Sequence, residues 1–307
     1  MSQRLIFILD AATVVYFTLF GGDLYLDLVM WLIVVISTVY AAEVSMALYN
    51  ARLWYNVLVV STAMSLPQTL FAIKLGESGK YLAAWIDTLG STLVDAMLVT
   101  AVLRRFVIGS PMIWRMVPFL IMWSAAALYV NYHTYAITYG FFRLPEWVIA
   151  VIGLLLPIVL VRPTGLPSKR EVIMLLVHAI STGVASYELS NTIAQLPIRE
   201  VQLGIVATLL ATLPDFLVAL IIRSTVAKIL SEVASEEEAL ATMLAGAVHD
   251  QILIPALILM LHPEAAAFYP HYFNVLVILV KFTLLFRATY WLFGVPFTIF
   301  MLLMPPV

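Results

Sequence analysis

Ser61-Thr-Ala-Met-Ser-Leu-Pro-Gln68 places a proline and a carboxamide inside an apolar run, and Gly90-Ser-Thr-Leu-Val-Asp95 is a second polar break soon after it. A variant of this pair recurs in the second half of the chain, as Leu210-Ala-Thr-Leu-Pro-Asp215 and Gly246-Ala-Val-His-Asp-Gln251. Backbone breaks with polar side chains, at matching positions of two halves, are typical of the binding site of a membrane transporter. These four segments organise the interpretation of the rest of the chain.

The composition indicates a polytopic integral membrane protein. Of 307 residues, 63% are hydrophobic and only 11% are charged, whereas soluble domains carry about 25% charged residues. The chain has no cysteine, which excludes disulfides, thiol chemistry and thiolate metal sites. No basic tract or finger motif suggests a nucleic-acid partner. The expected surroundings are therefore a lipid bilayer.

Apolar runs of about 16–25 residues predict an all-α protein with about 10–11 transmembrane helices. The predicted spans are 5–21, 26–48, 54–74, 80–103, 112–131, 145–161, 172–192, 199–223, 238–261, 270–286 and 288–304. We read the first as a retained span because Asp10 interrupts its apolar stretch and no clean cleavage site follows. Lys281 and Arg287 leave only a tight turn between the last two spans, and ten spans result if the first is not a full span.

The distribution of basic residues predicts the orientation of the chain. With eleven spans, twelve of the 16 Lys and Arg residues fall on the side of the N-terminus and the other four on the opposite side. Basic residues concentrate on the cytoplasmic side of membrane proteins. We therefore expect the N-terminus to lie in the cytoplasm.

The two halves of the chain are similar in order. Pro67 matches Pro214 at an offset of 147, and Gly90 matches Gly246 at an offset of 156. The single membrane domain, 1–307, then consists of the extra span 5–21, a first repeat 26–161 and a second repeat 172–304. Each repeat holds five spans, and an odd number inserts the second copy upside down. The sequence predicts two inverted five-helix repeats with broken helices at the centre.

The breaks supply oxygen ligands. Proline frees a backbone carbonyl one turn earlier, which is tolerated in lipid only where it lines a cavity or is otherwise satisfied. The predicted metal ligands are Ser65, Gln68, Ser91, Asp95, Thr212, Asp215, Asp250 and Gln251, with the backbone carbonyls of Met64 and Ala211. Asp250 and Gln251 point about 100° apart on a helix, so one of them is expected to face the centre, and the sequence does not decide which.

An all-oxygen set favours a hard cation over zinc or copper. A carboxylate at the middle of the bilayer costs about 2.5–3.5 kcal/mol, and binding a cation gives Asp95 and Asp215 a reason to be there. Ca²⁺ takes about 6–8 oxygens, which two carboxylates, two amides, hydroxyls and carbonyls can supply. We assign no role to Asp10 or Asp87, and we interpret His249 as a packing residue.

At these residues the sequence resembles the cation/calcium exchanger superfamily, whose Gly-Thr-Ser-Leu-Pro-Glu-like and Gly-Ser-Asn-x-x-Asn/Asp-like motifs occur in both halves. It departs from that pattern at Gln68, where the family has glutamate, and at Asp215 and Ala247. The resemblance implies a secondary-active antiporter that exchanges Ca²⁺ for Na⁺ or H⁺ by alternating access, without a cofactor. The amide at Gln251 favours H⁺. Spans 26–48 and 172–192, with Glu43 and Glu188 as possible gating residues, are expected to slide against the core.

Other readings remain open. In one alternative the chain transports Mg²⁺ or K⁺ instead of Ca²⁺. In another it exchanges Na⁺ for H⁺. A channel or ion sensor is a third class. An intramembrane aspartate-dependent enzyme would use Asp95 and Asp215, but the chain contains no Gly-x-Gly-Asp or His-Glu-x-x-His motif. We therefore expect a transporter of inorganic cations and not an enzyme.

Overall fold

A computed structural model describes residues 3–48, 61, 65–102, 111–160, 169–213, 216, 241 and 243–282. Every regular element in these ranges is a helix, which confirms the predicted all-α class for this part of the chain. The helices are α1 (Gln3–Phe20), α2 (Leu24–Leu48), α3 (Leu66–Glu77), α4 (Tyr81–Val102), α5 (Pro111–Tyr139), α6 (Glu146–Leu155), α7 (Lys169–Ala194), α8 (Glu200–Ala211), α9 (Met243–Leu261) and α10 (His271–Phe282).

The helices follow the predicted apolar runs. Each run up to residue 286 overlaps one helix, and the run 288–304 lies outside the described residues. Short 3-10 turns follow α6 at Leu156–Leu160 and α9 at Pro263–Phe268. In the part of the chain that the structure describes, α9 is the one helix long and apolar enough to cross a membrane by length and composition. The number of membrane spans and the inverted repeat therefore stay predictions.

Both proline motifs coincide with the end of a helix. Pro67 stands in the first turn of α3, where the missing amide hydrogen costs nothing and the fixed φ suits the helix. Ser65 immediately precedes this helix, and its backbone nitrogen donates to the carbonyl of Ser61 at 2.8 Å. In the second half, α8 ends at Ala211 with Thr212 as its C-cap, two residues before Pro214. The expected interruption is thus a helix boundary in both motifs.

Glycine brings α4 and α8 into close contact. A Cβ at Gly204 would lie 2.7 Å from Cβ of Ile86 and 2.9 Å from the carbonyl oxygen of Ala83. One turn later, the hydroxyl of Thr208 lies 3.2 Å from the carbonyl oxygen of Ile86 and donates to it. The absent side chain at Gly204 is what allows the two backbones to approach this closely.

Gly204→Ala is therefore expected to destabilise the protein by about 1–3 kcal/mol, because the new methyl group overlaps backbone and a branched side chain. Thermal unfolding in detergent would measure the change. Gly183→Ala is the matched control, since a Cβ there would meet only the side-chain ends of Leu66 and Leu70 at 3.1 Å. Equal unfolding temperatures for Gly204→Ala and the wild type would contradict the close packing of α4 and α8.

Candidate functional site

The four segments that break the apolar pattern belong to helices that contact one another. Helix α3 packs against α4, α8 and α9, and α4 packs against α8 and α9. The polar ends of these helices are therefore brought into one region of the molecule. The first proline motif, 61–68, lies there beside both glycine motifs, 90–95 and 246–251.

Gly246 marks the point where three of these helices meet. A Cβ at Gly246 on α9 would lie 3.5 Å from Oδ2 of Asp95 on α4 and 3.5 Å from Oγ of Ser65, which precedes α3. Ser65 and Asp95 are 4% and 2% exposed. A carboxylate oxygen and a hydroxyl oxygen thus face one glycine from two sides, at a centre that is closed to solvent.

Three further predicted ligands are buried on the same helices. Gln68 lies in the first turn of α3, and Ser91 lies one turn before Asp95 on the same face of α4. None of the described residues forms a hydrogen bond with the hydroxyl of Ser91. Asp250 follows Gly246 by four residues and therefore shares its face of α9. These positions extend the oxygen-rich centre along α3, α4 and α9.

The remaining predicted ligands are placed less directly. The hydroxyl of Thr212 donates to the carbonyl oxygen of Thr208 at 2.7 Å, and Ala211 is buried at the end of α8. Asp215 and Met64 lie outside the described residues. The structure therefore shows α8 packed against α3 and α4, and the contribution of Asp215 stays a prediction.

Asp250 and Gln251 are both fully buried, and they face different neighbours. The amide nitrogen of Gln251 donates to Oδ1 of Asn274 at 2.6 Å, and its oxygen accepts from Nζ of Lys281 at 3.1 Å. Gln251 is thus directed towards α10, while the four-residue spacing from Gly246 favours the Gly246 face for Asp250. A π-helical turn at His249–Leu253 changes the helix register here, a feature frequent at functional sites.

Lys281 has a setting that the sequence did not indicate. It lies in the last turn of α10, within the predicted span 270–286, and is 1% exposed. Its Nζ lies 4.1 Å from the centroid of the Trp123 ring on α5. Asn274 lies seven residues earlier on the same face of α10. A lysine and an asparagine spaced by two helical turns in an apolar run were the signal that sequence reasoning missed.

Other buried polar groups on α4 and α9 have no place in the predicted ligand set. Asp87 and His249 are fully buried, and no described residue forms a hydrogen bond with their side chains. No group of three or more His, Asp or Glu side chains in the described part of the chain is arranged to hold a metal ion. A cation at Gly246 would therefore need hydroxyl, amide or carbonyl oxygens beside its carboxylates.

The predicted gating residues lie on the two helices that flank this core. Glu43 belongs to α2, but its side chain is outside the described set, and Glu188 is half-buried on α7. Helix α7 packs against both α2 and α3. The indole of Trp31 on α2 donates to the hydroxyl of Ser186 at 2.9 Å, which joins the two flanking helices.

Tyr187, next to Glu188, ties α7 to the end of α3. Its hydroxyl donates to Oε2 of Glu77 at 2.9 Å, and Nζ of Lys74 donates to the same hydroxyl at 3.1 Å. Burial raises the pKa of Glu77, but the hydrogen bonds from Tyr187 and Lys74 outweigh it and hold that pKa below its ordinary value. This cluster is a second feature that the sequence did not indicate.

The geometry thus provides a buried hydroxyl oxygen and a buried carboxylate oxygen at Gly246, and a buried amine that contacts Gln251 on the same helix. Oxygen donors of this kind suit a hard cation. No protein-family model, curated protein or solved structure matches this chain.

Proposed function

We propose that this chain is a secondary-active cation antiporter of the cation/calcium exchanger type, which exchanges Ca²⁺ for Na⁺ or H⁺ by alternating access in a lipid bilayer. The observation that carries the proposal is the meeting of Ser65 and Asp95 at Gly246. These residues come from three separate polar breaks, and a shared buried centre is what an ion site built from such breaks requires.

The surface supports insertion in a bilayer. Large apolar side chains are strongly exposed on several helices, among them Trp114 at 80%, Phe20 at 70% and Ile121 at 57%. Buried positions, by contrast, include Asp27, Asp87 and other polar residues. A soluble monomer rarely exposes apolar surface on this scale. The proposed topology has 10–11 spans in two inverted repeats, 26–161 and 172–304, with the N-terminus in the cytoplasm.

Charge and hydration favour Ca²⁺ as the transported ion. Two carboxylates, Asp95 and Asp250, balance the charge of one divalent cation and so offset the expense of burying them. The neutral oxygens of Ser65, Gln68 and Ser91 add ligands. Because the centre is closed to solvent, its ion has to lose water, which Mg²⁺ does reluctantly and Ca²⁺ does more easily.

Alternating access would be carried by the flanking helices. Helices α2 and α7 are joined by Trp31 and Ser186 and pack against the core through α3. If they slide against the core, the bond between Tyr187 and Glu77 has to break and re-form. Glu43 and Glu188 remain the proposed gating residues at the ends of this movement.

Uptake into liposomes tests the proposal. Purified protein reconstituted into vesicles loaded with Na⁺, or buffered at acidic pH inside, is expected to take up radioactive Ca²⁺ about tenfold or more faster than without the gradient. The reason is that an antiporter couples the two ion fluxes, so dissipating the Na⁺ or H⁺ gradient removes the driving force. Protein-free vesicles are the control.

Three results would contradict Ca²⁺ exchange. Uptake that needs no opposing gradient indicates a channel. Absence of flux under every gradient excludes a Ca²⁺ antiporter. Coupled flux of Mg²⁺ or K⁺, but not Ca²⁺, assigns the site to another cation.

A further inference from the structure

Lys281 places its side-chain amine at an unusual position for a lysine. It is 1% exposed, and its Nζ contacts the amide oxygen of Gln251 at 3.1 Å and the face of Trp123 at 4.1 Å. No carboxylate among the described residues forms an ion pair with it. In its protonated form the amine therefore has no carboxylate partner in this part of the molecule.

The surroundings of Nζ are those of a small monovalent cation. An amide oxygen and an aromatic face both attract a positive charge without neutralising it. The hydrogen bonds of Asn274 fix the orientation of the Gln251 amide. Asn274 donates to the carbonyl oxygen of Ala127 at 3.0 Å and to Oδ1 of Asn131 at 2.9 Å, so its own oxygen is left to accept from Gln251. The oxygen of Gln251 is then presented to Lys281.

The chain joins this position to the proposed Ca²⁺ centre. Gln251 directly follows Asp250, and α10 packs against α4, which carries Asp95. When a divalent cation leaves, the centre loses two positive charges beside the carboxylates of Asp95 and Asp250 in a medium of low dielectric constant, which is unfavourable. A positive charge next to Gln251 lowers the free energy of that empty state.

We propose that Lys281 is a tethered counter-cation: its ammonium group occupies a monovalent-cation position beside the Ca²⁺ centre and replaces one of the ions that the exchange would otherwise take from solution. The inference rests on the proposed function for its role in exchange. The cation position itself can be tested without any transport.

The binding test uses Lys281→Ala in the full chain. Removing the side chain should leave a vacant position that methylammonium, Na⁺ or K⁺ can fill. Compared with choline at equal ionic strength, these ions are expected to raise the unfolding temperature of the variant by about 3–5 °C. The wild type should respond by less than about 1 °C, because its position is filled.

Lys74→Ala is the matched control. Lys74 also donates to a side-chain oxygen and lies 4.6 Å from an aromatic ring centroid, that of Tyr187, but it is partly exposed at the end of α3. It pairs with Glu77 at 3.2 Å, and water fills the position that its removal vacates. No ion-specific shift is expected there. If Lys281→Ala does not fold, Lys281→Met keeps the packing of the stem and serves in its place. A variant that responds equally to choline and to the small cations overturns the inference.

The transport test separates this inference from the proposed function. If the wild type exchanges Ca²⁺, the variant is expected to move one more monovalent ion per Ca²⁺, measured as a shift in reversal potential, and to need that ion at higher concentration. An unchanged stoichiometry overturns the role in coupling. If the wild type moves no Ca²⁺ but the variant is still stabilised by small cations, the cation position stands and the proposed function fails.

Discussion

Asp95→Asn is expected to lower the rate of gradient-driven Ca²⁺ uptake about 100-fold while leaving the unfolding temperature close to that of the wild type. Asp95 provides the carboxylate oxygen nearest to Gly246, at 3.5 Å from a Cβ built there. Charged ligands contribute about 1.5–3 kcal/mol each, and every 1.4 kcal/mol is tenfold in affinity. The amide keeps the shape of the side chain, so packing around it should survive. Uptake into liposomes and thermal unfolding measure the two effects.

Asp27→Asn is the matched control, because Asp27 is an equally buried aspartate with a structural setting. Its carboxylate accepts from the hydroxyl of Thr192 at 2.7 Å, from the hydroxyl of Tyr16 at 3.1 Å and from the backbone of Gly22 at 3.1 Å. Replacing it should cost about 1–3 kcal/mol of stability but leave the uptake per folded molecule intact.

Asp95→Asn is thus expected to lower uptake without lowering stability, and Asp27→Asn is expected to lower stability without lowering uptake. Wild-type uptake by Asp95→Asn would remove this carboxylate from the site. A loss of uptake accompanied by an equal loss of stability would instead assign Asp95 to packing. Asp215→Asn extends the same comparison to the second half of the chain, where the ligand role stays a prediction.

The helices were predictable because apolar runs of sufficient length leave a helix as the way to satisfy the backbone. Each run up to residue 286 overlaps one helix, and Pro67 and Pro214 flag the boundaries of α3 and α8. The meeting of the motifs was also suggested by sequence, since matching breaks in two halves favour a shared centre. These features depend on composition and order along the chain alone.

The missed features depend on which neighbours a residue meets in space. Lys281 lies within the predicted span 270–286, but its sequence position does not show which groups surround its amine. Its actual partners, Gln251 and Trp123, lie on other helices and cannot be read from local pattern. The sequence likewise did not show the π turn in α9, or that Asp250 and Gln251 are both buried there.

Substitutions at Gly246 test the contribution of α9 to the same centre, as Asp95→Asn tests that of α4. Gly246→Ala is expected to raise the Ca²⁺ concentration for half-maximal uptake about tenfold, and Gly246→Leu to reduce uptake about 100-fold. The added methyl lies 3.5 Å from Oδ2 of Asp95 and Oγ of Ser65. It therefore takes space where a Ca²⁺ ion would have to sit about 2.3–2.6 Å from its ligands.

Gly246→Ala is expected to keep or raise the stability of the protein although it weakens Ca²⁺ binding. A separation of 3.5 Å is an ordinary contact, and alanine favours a helix over glycine by about 0.5–1 kcal/mol. Gly246→Ala is thus expected to unfold at the same or a higher temperature while it binds Ca²⁺ less well. Unfolding in detergent and concentration-dependent uptake are measured on the same preparation.

Gly76→Ala is the control that shows whether a glycine-to-alanine change in a helix alters Ca²⁺ affinity away from the proposed site. Its Cβ would meet the ring of His262 at 3.2 Å, at the far end of α3 from Ser65. This control should keep wild-type affinity for Ca²⁺. If Gly246→Leu folds and exchanges as well as the wild type, no ion passes between Asp95 and Ser65, because a leucine side chain there leaves no room for one. The proposed site would then have to lie elsewhere in the core.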